Sequence, residues 1–180
     1  MAKSDLWVEL YSNLSTTGAV SFSSKALVEK MLSYANFSYA KTIVELGGGD
    51  GSITQGIVDK MSPEAELLVF EINESFCESM EKLFPQKNVR IINDSAENVN
   101  KYLDGKNADY VISSLPLSLF SVKLKDQILA QSKLALTHSG SYIQISYSYF
   151  IRNLFKKHFN QVSTSFTLKN LPPAFVMVCR

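Results

Sequence analysis

The sequence predicts an α/β fold: a seven-stranded, mostly parallel sheet whose last strand is antiparallel, with helices on both faces. Three observations predict it. From residue 42 onward, short β-branched and apolar runs alternate with stretches of helical periodicity, the pattern of crossover helices over a parallel sheet. The first run, 42–46, passes directly into a glycine cluster, Gly47, Gly48, Gly49 and Gly51, and then into a helical pattern at Ile53, Ile57 and Val58. The chain closes on two β-rich runs, 161–168 and 174–179, joined across Asn170-Leu171-Pro172-Pro173, which read as an antiparallel pair.

Each element follows from its own pattern. Leu6, Trp7, Leu10, Tyr11 and Leu14 share one face of a short amphipathic helix, read as a lid on the domain or a segment dipping into a membrane interface. Residues 1–38 form an N-terminal helical extension, with a small-residue loop at 18–24 that ends in an N-cap and a helix that buries Leu27, Val28, Met31 and Leu32. Residues 40–180 form the core. Its strands are expected at 42–46, 66–72, 88–93, 108–114, 141–147, 161–168 and 174–179. Helices are expected at 52–61, stopped before Pro63, at 75–84, stopped by Pro85, and at 96–103, closed by Asp104-Gly105. A further helix at 122–136 stops near Ser139-Gly140, and another stretch runs from 149 to 159.

At 180 residues the chain is expected to be a single domain with a full core. No apolar run reaches about 18 residues, which argues against a transmembrane helix, and the first residues lack the apolar stretch of a signal peptide. Cys77 and Cys179 lie far apart without metal-ligand spacing, so they read as reduced core thiols of a cytoplasmic protein with no metal site. Charge is uneven behind a net of +1: all 17 acidic residues precede residue 127, and Lys133, Arg152, Lys156, Lys157, Lys169 and Arg180 follow it. That basic end suits an anionic partner, a lipid surface or a nucleic acid, or is simply a set of solvated charges.

The glycine cluster carries the chemistry. A dinucleotide fingerprint fails because its third glycine falls on Ser52, and a phosphate loop fails because no lysine follows. The arrangement Glu45-x-Gly47-x-Gly49-x-Gly51 resembles instead the first motif of Rossmann-like methyltransferases, which implies S-adenosylmethionine as cofactor. Ligands of open α/β sheets sit beyond the carboxyl ends of the strands, and polar residues gather there. Glu71, at the end of the second strand, suits the ribose hydroxyls. Asp94, followed by Ser95, suits the adenine amino group, a helix N-cap, or both. Ser113 and Ser114 end the fourth strand beside the methyl donor. Amino-group methyltransferases often carry Asn-Pro-Pro-Tyr there, and serine in the polar place departs from the adenine-targeting version.

Several pieces together resemble the bacterial phospholipid N-methyltransferases, which methylate phosphatidylethanolamine. They are the runs 18–27 and 44–51, Ser113-Ser114-Leu115-Pro116-Leu117, Gln144-Ile145-Ser146-Tyr147 and Lys169-Asn170-Leu171-Pro172-Pro173-Ala174. Asp50 stands where that family has threonine, Phe22 where it has proline, and its amino-terminal helix is commonly more basic. The resemblance implies a phospholipid substrate at an anionic membrane surface, with no obligatory nucleic acid, and a cytoplasmic protein with peripheral contact at the inner membrane face; the oligomeric state is left open, with a monomer favoured. An adenine N-methyltransferase of ribosomal RNA, or a cofactor- and lipid-binding module without turnover, are the alternatives.

Methyl transfer from a sulfonium requires an aligned neutral amine and the exclusion of water more than a strong base. His138 and His158 accordingly read as solvated. Tyr147, at the end of the fifth strand, is the candidate to hold a quaternary ammonium product on its ring, with Tyr11 and Phe22 closing from the lid. The stretch 149–159 interleaves aromatics and cations. It suits an anionic bilayer, RNA phosphates and bases, or plain core packing.

Overall fold

A computed structural model describes residues 24–180; the expected helix at 6–14, the loop up to Ser23, and Tyr11 and Phe22 lie outside the described residues. The elements are α1 (Lys25–Leu32), β1 (Thr42–Leu46), α2 (Ser52–Val58), β2 (Glu66–Phe70), α3 (Glu74–Leu83) and β3 (Val89–Ile92). A 3-10 turn at Ala96–Lys101 leads to β4 (Ala108–Ser113), and a second at Leu117–Leu119 leads to α4 (Val122–Ala135). Then come β5 (Leu136–Ser146), a 3-10 turn at Tyr149–Ile151, α5 (Arg152–His158), β6 (Val162–Thr167) and β7 (Ala174–Cys179).

All seven strands form one sheet in the order β3-β2-β1-β4-β5-β7-β6. The pairs from β3 to β5 are parallel, and β7 runs antiparallel to both neighbours. The predicted seven-stranded, Rossmann-like arrangement with an antiparallel last strand is therefore what forms. Every residue of β1 is buried, as a central parallel strand covered on both faces requires. On one face α1, α2 and α3 lay Leu27, Met31, Ile57 and Met80 against Ile43, Leu67 and Ile143. On the other, the 96–101 turn, α4 and α5 lay Val99, Leu129 and Phe155 against Val44, Leu68 and Tyr142. Each such side chain contributes about 1.5–3 kcal/mol on burial.

Caps explain where the helices start. The Ser24 hydroxyl accepts the Leu27 N–H (3.2 Å), the Asn73 side chain accepts those of Ser75 (3.0 Å) and Phe76 (3.4 Å), and Ser121 accepts that of Leu124 (3.2 Å). Two expected elements differ. Residues 96–103 give a six-residue 3-10 turn rather than an α-helix, and its Asn-Val-Asn core supplies little helix propensity. The helix at 122–136 ends at Ala135 and the chain turns at once into β5, so Ser139-Gly140 lies inside a strand instead of closing a helix. An irregularity opposite Ala108 and Tyr110 lets β5 begin this early, and it brings the Gly140 backbone so close that a β-carbon would sit 3.0 Å from the Ala108 carbonyl.

Strand order reverses between β1 and β4, where Leu46 pairs with Ser113. A crevice forms outside the carboxyl ends at such a reversal, because the helices leave in opposite directions.

Candidate active site

The crevice is walled by what the strands emit at this end. Gly47 follows β1, Phe70, Glu71 and Ile72 end β2, Asp94, Ser95 and Ala96 follow β3, and Leu115 follows β4. Phe120, Leu124 and Ile128 close it from α4 and the turn before it. The result is a narrow apolar slot with two carboxylates along one side.

The glycine loop is held from three directions. The Gly49 N–H donates to Glu71 Oε2 (2.9 Å), the Ser114 hydroxyl donates to the Gly47 carbonyl (2.9 Å), and the Gly47 N–H donates to the Phe70 carbonyl (2.8 Å). A β-carbon on Gly48 would stand 2.6 Å from Met80 Cε and 2.7 Å from Val69 Cγ1, so the loop rests directly on α3 and β2. Gly49 is the opposite case. At φ +54 it takes a backbone conformation other residues resist, and the space before it is open to 4 Å.

Glu71 is 2 % exposed and uses Oε1 to accept the Asn73 N–H (2.9 Å). Burial pushes its carboxyl above the usual range against the pull of the Asn73, Gly49 and Ile72 amides. Asp94 accepts from the Ser95 N–H (2.7 Å), the Asn98 side chain (2.8 Å) and the Tyr102 hydroxyl (2.8 Å). Burial raises its carboxyl, but the bonds from Asn98, Tyr102 and Ser95 outweigh it and hold the group low.

Of the residues that the sequence singled out, the slot collects Gly47, Glu71, Asp94 and Ser95. Glu45 lies beneath the loop, fully buried, accepting the Thr54 hydroxyl on Oε2 (2.8 Å) while Oε1 has no hydrogen-bond partner. Burial pushes it up to about 8, with the charges of Glu71 and Asp50 adding to the rise and the Thr54 bond opposing it. Gly51 takes φ +81 at the N-cap of α2, with Phe84 against it. Asp50 turns away from the slot into a groove between α1 and α2, where it accepts the Ser52 N–H (3.1 Å) and hydroxyl (2.7 Å). Ser113 is fully buried, and its hydroxyl lies 3.4 Å from the Leu115 N–H. Tyr147 is half exposed, and burial pushes its hydroxyl up against the opposing pull of the Asn170 side chain.

Sequence reasoning missed the apolar wall, and it quoted Gln144 only as part of a family-like run without giving it a role. Buried at 1 % exposure, Gln144 donates to the Leu115 carbonyl (3.0 Å) and accepts the Tyr142 hydroxyl (2.6 Å). A glutamine in the middle of an apolar strand was the available signal, because such a residue survives burial only when it is bonded.

Residues 22–144 match the ribosomal RNA adenine dimethylase family. The chain belongs to that family. It is an S-adenosylmethionine-dependent methyltransferase. Along 146 residues it is also 29% identical to an ornithine lipid N-methyltransferase of Singulisphaera acidiphila, covering 78% of this chain and 76% of that protein. Among solved structures, the fold resembles a precorrin-6y C5,15-methyltransferase of Geobacter metallireducens (TM-score 0.70, 14% identity, 88% and 89% of the two chains). It also resembles a putative rRNA-methylase of Clostridium thermocellum (TM-score 0.60, 17% identity, 77% and 86%).

The methyltransferase's slot fits this cofactor. An apolar cleft accepts a flat base, carboxylates suit hydroxyl and amino donors and a cationic sulfur, and the open side of Gly49 leaves room for close approach. S-adenosylmethionine supplies a methyl group on a positively charged sulfur, and so a good leaving group. What would remain for the chain is to orient the acceptor and exclude water: Leu115 after β4, with Phe120 and Leu124 from α4 and the turn before it, lines the slot with apolar surface, and Gln144 holds the Leu115 carbonyl.

Proposed function

We propose that this methyltransferase acts on the amine of a membrane lipid, of the phosphatidylethanolamine type, at the surface of an anionic membrane on its cytoplasmic face. The observation that carries the reading is the 29% identity with the ornithine lipid N-methyltransferase, which runs through most of both chains. The site supports it. Leu117 takes the place of the tyrosine in Asn-Pro-Pro-Tyr and is buried at 1 % exposure, so this position supplies no ring of that kind. Ser114, in the polar place, spends its hydroxyl on the Gly47 carbonyl.

In this reading Glu71 accepts the ribose hydroxyls and Asp94, with Ser95, faces the adenine edge. Gly47, Gly49 and Gly51 shape the loop over Glu45. Ser113 and Ser114 hold the head of β4, against which the amine sits, and Tyr147 offers its ring to the methylated ammonium. Residues 1–38 act as an extension on a catalytic core of residues 40–180.

The test is incubation with labelled S-adenosylmethionine and vesicles containing phosphatidylethanolamine or ornithine lipid. Labelled mono-, di- or trimethylated lipid is expected, and its absence from both overturns the reading. The family match favours a second reading, transfer to an adenine amino group of ribosomal RNA. Label in RNA but not in lipid would establish that one instead.

A further inference from the structure

Three separate stretches of sequence meet at one rim of the cleft end of the sheet. Ser146, the last residue of β5, pairs with Phe175, and Phe175 pairs with Phe166. Because β5 runs parallel to β4 and β1, these residues stand at the same end as the glycine loop. Four strand spacings separate β1 from β6, roughly 20 Å. The Phe175 ring contacts those of Tyr149 (5.6 Å) and Phe166 (5.0 Å). Outward of them Phe150 is 85% exposed, Leu168 76% and Phe166 53%. Large apolar side chains gathered in this way on one rim mark an interaction surface rather than scattered exposure.

Charge identifies the partner. The segments that carry the rim also carry exposed Lys156, Lys157 and Lys169 and no acidic residue of their own, and the carboxylate that meets them, Asp126 of α4, faces His158 Nε2 (3.1 Å). Apolar tips backed by ammonium groups match the boundary of an anionic bilayer, where the tips enter the interface and the lysines meet phosphates. A second copy of the chain would set these cations against their own kind.

We propose that the rim formed by Tyr149, Phe150, Phe166 and Leu168 docks on an anionic bilayer and seats the cleft mouth against it. The surface is not the whole of 149–159, as an amphipathic reading of that stretch would have it. Phe155 and Phe159 are buried in the core, and the tip of the β6–β7 hairpin takes their place. The proposal deepens the lipid reading and rests on it for what the cleft does once docked.

The experiment is co-sedimentation of the full-length protein with phosphatidylcholine vesicles, with and without phosphatidylglycerol. It compares wild type with the triple variant Phe150→Ser, Phe166→Ser, Leu168→Ser. Wild type is expected to sediment with the anionic vesicles, and the variant to bind them about tenfold less tightly. Its calorimetric affinity for S-adenosylmethionine should stay unchanged, with only a small drop in melting temperature from the lost Phe166–Phe175 ring contact. Equal sedimentation of the two proteins overturns the proposal, as does absence of wild-type binding, or a wild-type dimer that the substitutions dissociate. Methylation of a short-chain, monomeric aminolipid separates the two ideas. Retained methylation without vesicle binding leaves the lipid reading standing and the docking surface refuted. Vesicle binding without methylation of any lipid does the reverse.

Discussion

At the residue scale, the most consequential atoms are those of Glu45. Its folded carboxyl is raised to about 8 from 4.5, so the native state holds a proton that the unfolded chain releases. The stability this proton confers is complete below about pH 4.5 and is lost as pH rises toward 8. Glu45→Gln, which keeps the shape without the ionisation, should match wild type near pH 5. It should melt increasingly higher than wild type up to pH 8, at roughly 2–4 °C per kcal/mol. Parallel melting curves across that range would contradict the assignment. Gly49 gives a second test. An alanine there meets no neighbour within 4 Å but is held at a φ costing about 1–2 kcal/mol. Gly49→Ala should therefore fold, with a modest drop in melting temperature and weaker binding of S-adenosylmethionine in a calorimetric titration. Gly48→Ala, aimed into Met80 and Val69, should cost about 1–3 kcal/mol of overpacking and lower the melting temperature. Much of this site was legible, because Glu71 and Asp94 are carboxylates at strand ends, where a parallel sheet places its ligands. What Asp50 does was not legible: its direction depends on an Asx turn onto Ser52, and spacing does not encode which side of a loop a side chain takes.

At the scale of elements, β5 links the sheet to the head of β4. Gln144 and Tyr142 point to the same face of that strand and join hydroxyl to amide, and the amide reaches the Leu115 carbonyl beside the slot. Gln144→Leu leaves the Leu115 carbonyl and the Tyr142 hydroxyl without this partner, at a cost of about 1–3 kcal/mol for each buried group. The expected result is a lowered melting temperature with a kcat that falls about tenfold, while cofactor affinity, assigned in the proposed site to the ends of β1–β3, changes little. An unchanged kcat would show that the head of β4 keeps its place without the glutamine. Periodicity located nearly every strand because buried parallel strands are short and β-branched. It misjudged the junction at residues 136–140, where a tertiary irregularity decides the outcome and Ser-Gly imitates a helix stop.

At the scale of the whole molecule, a family whose model is named for ribosomal RNA has here a buried Leu117 in the tyrosine place after β4 and a basic, apolar rim at the same end of the sheet. Among the described residues no helix is long and apolar enough to cross a membrane, and the proposed lipid contact is one made from the surface. If the lysines steer that contact, methylation of lipid in anionic vesicles should fall with added salt. Screening shortens the reach of a charge from about 10 Å at 0.1 M to about 3 Å at 1 M. Methylation of a monomeric lipid should be nearly indifferent to the same salt, and an equal decline in both would place the effect in the cleft instead. The sheet's direction and the rim's charge could be read in advance. The convergence of Tyr149 with Phe166 could not, because it depends on β7 lying between β5 and β6. The strand order also has a practical side. Ser24 is bonded to Asn170 (2.9 Å) and to the Lys169 carbonyl (2.8 Å) in the hairpin at the cleft end, whereas β7 carries the chain away from there toward Arg180. A purification tag or fluorophore joined directly ahead of Ser24 therefore enters the fold at the end of the sheet where the proposed docking rim lies, while one attached after Arg180 starts from the opposite end.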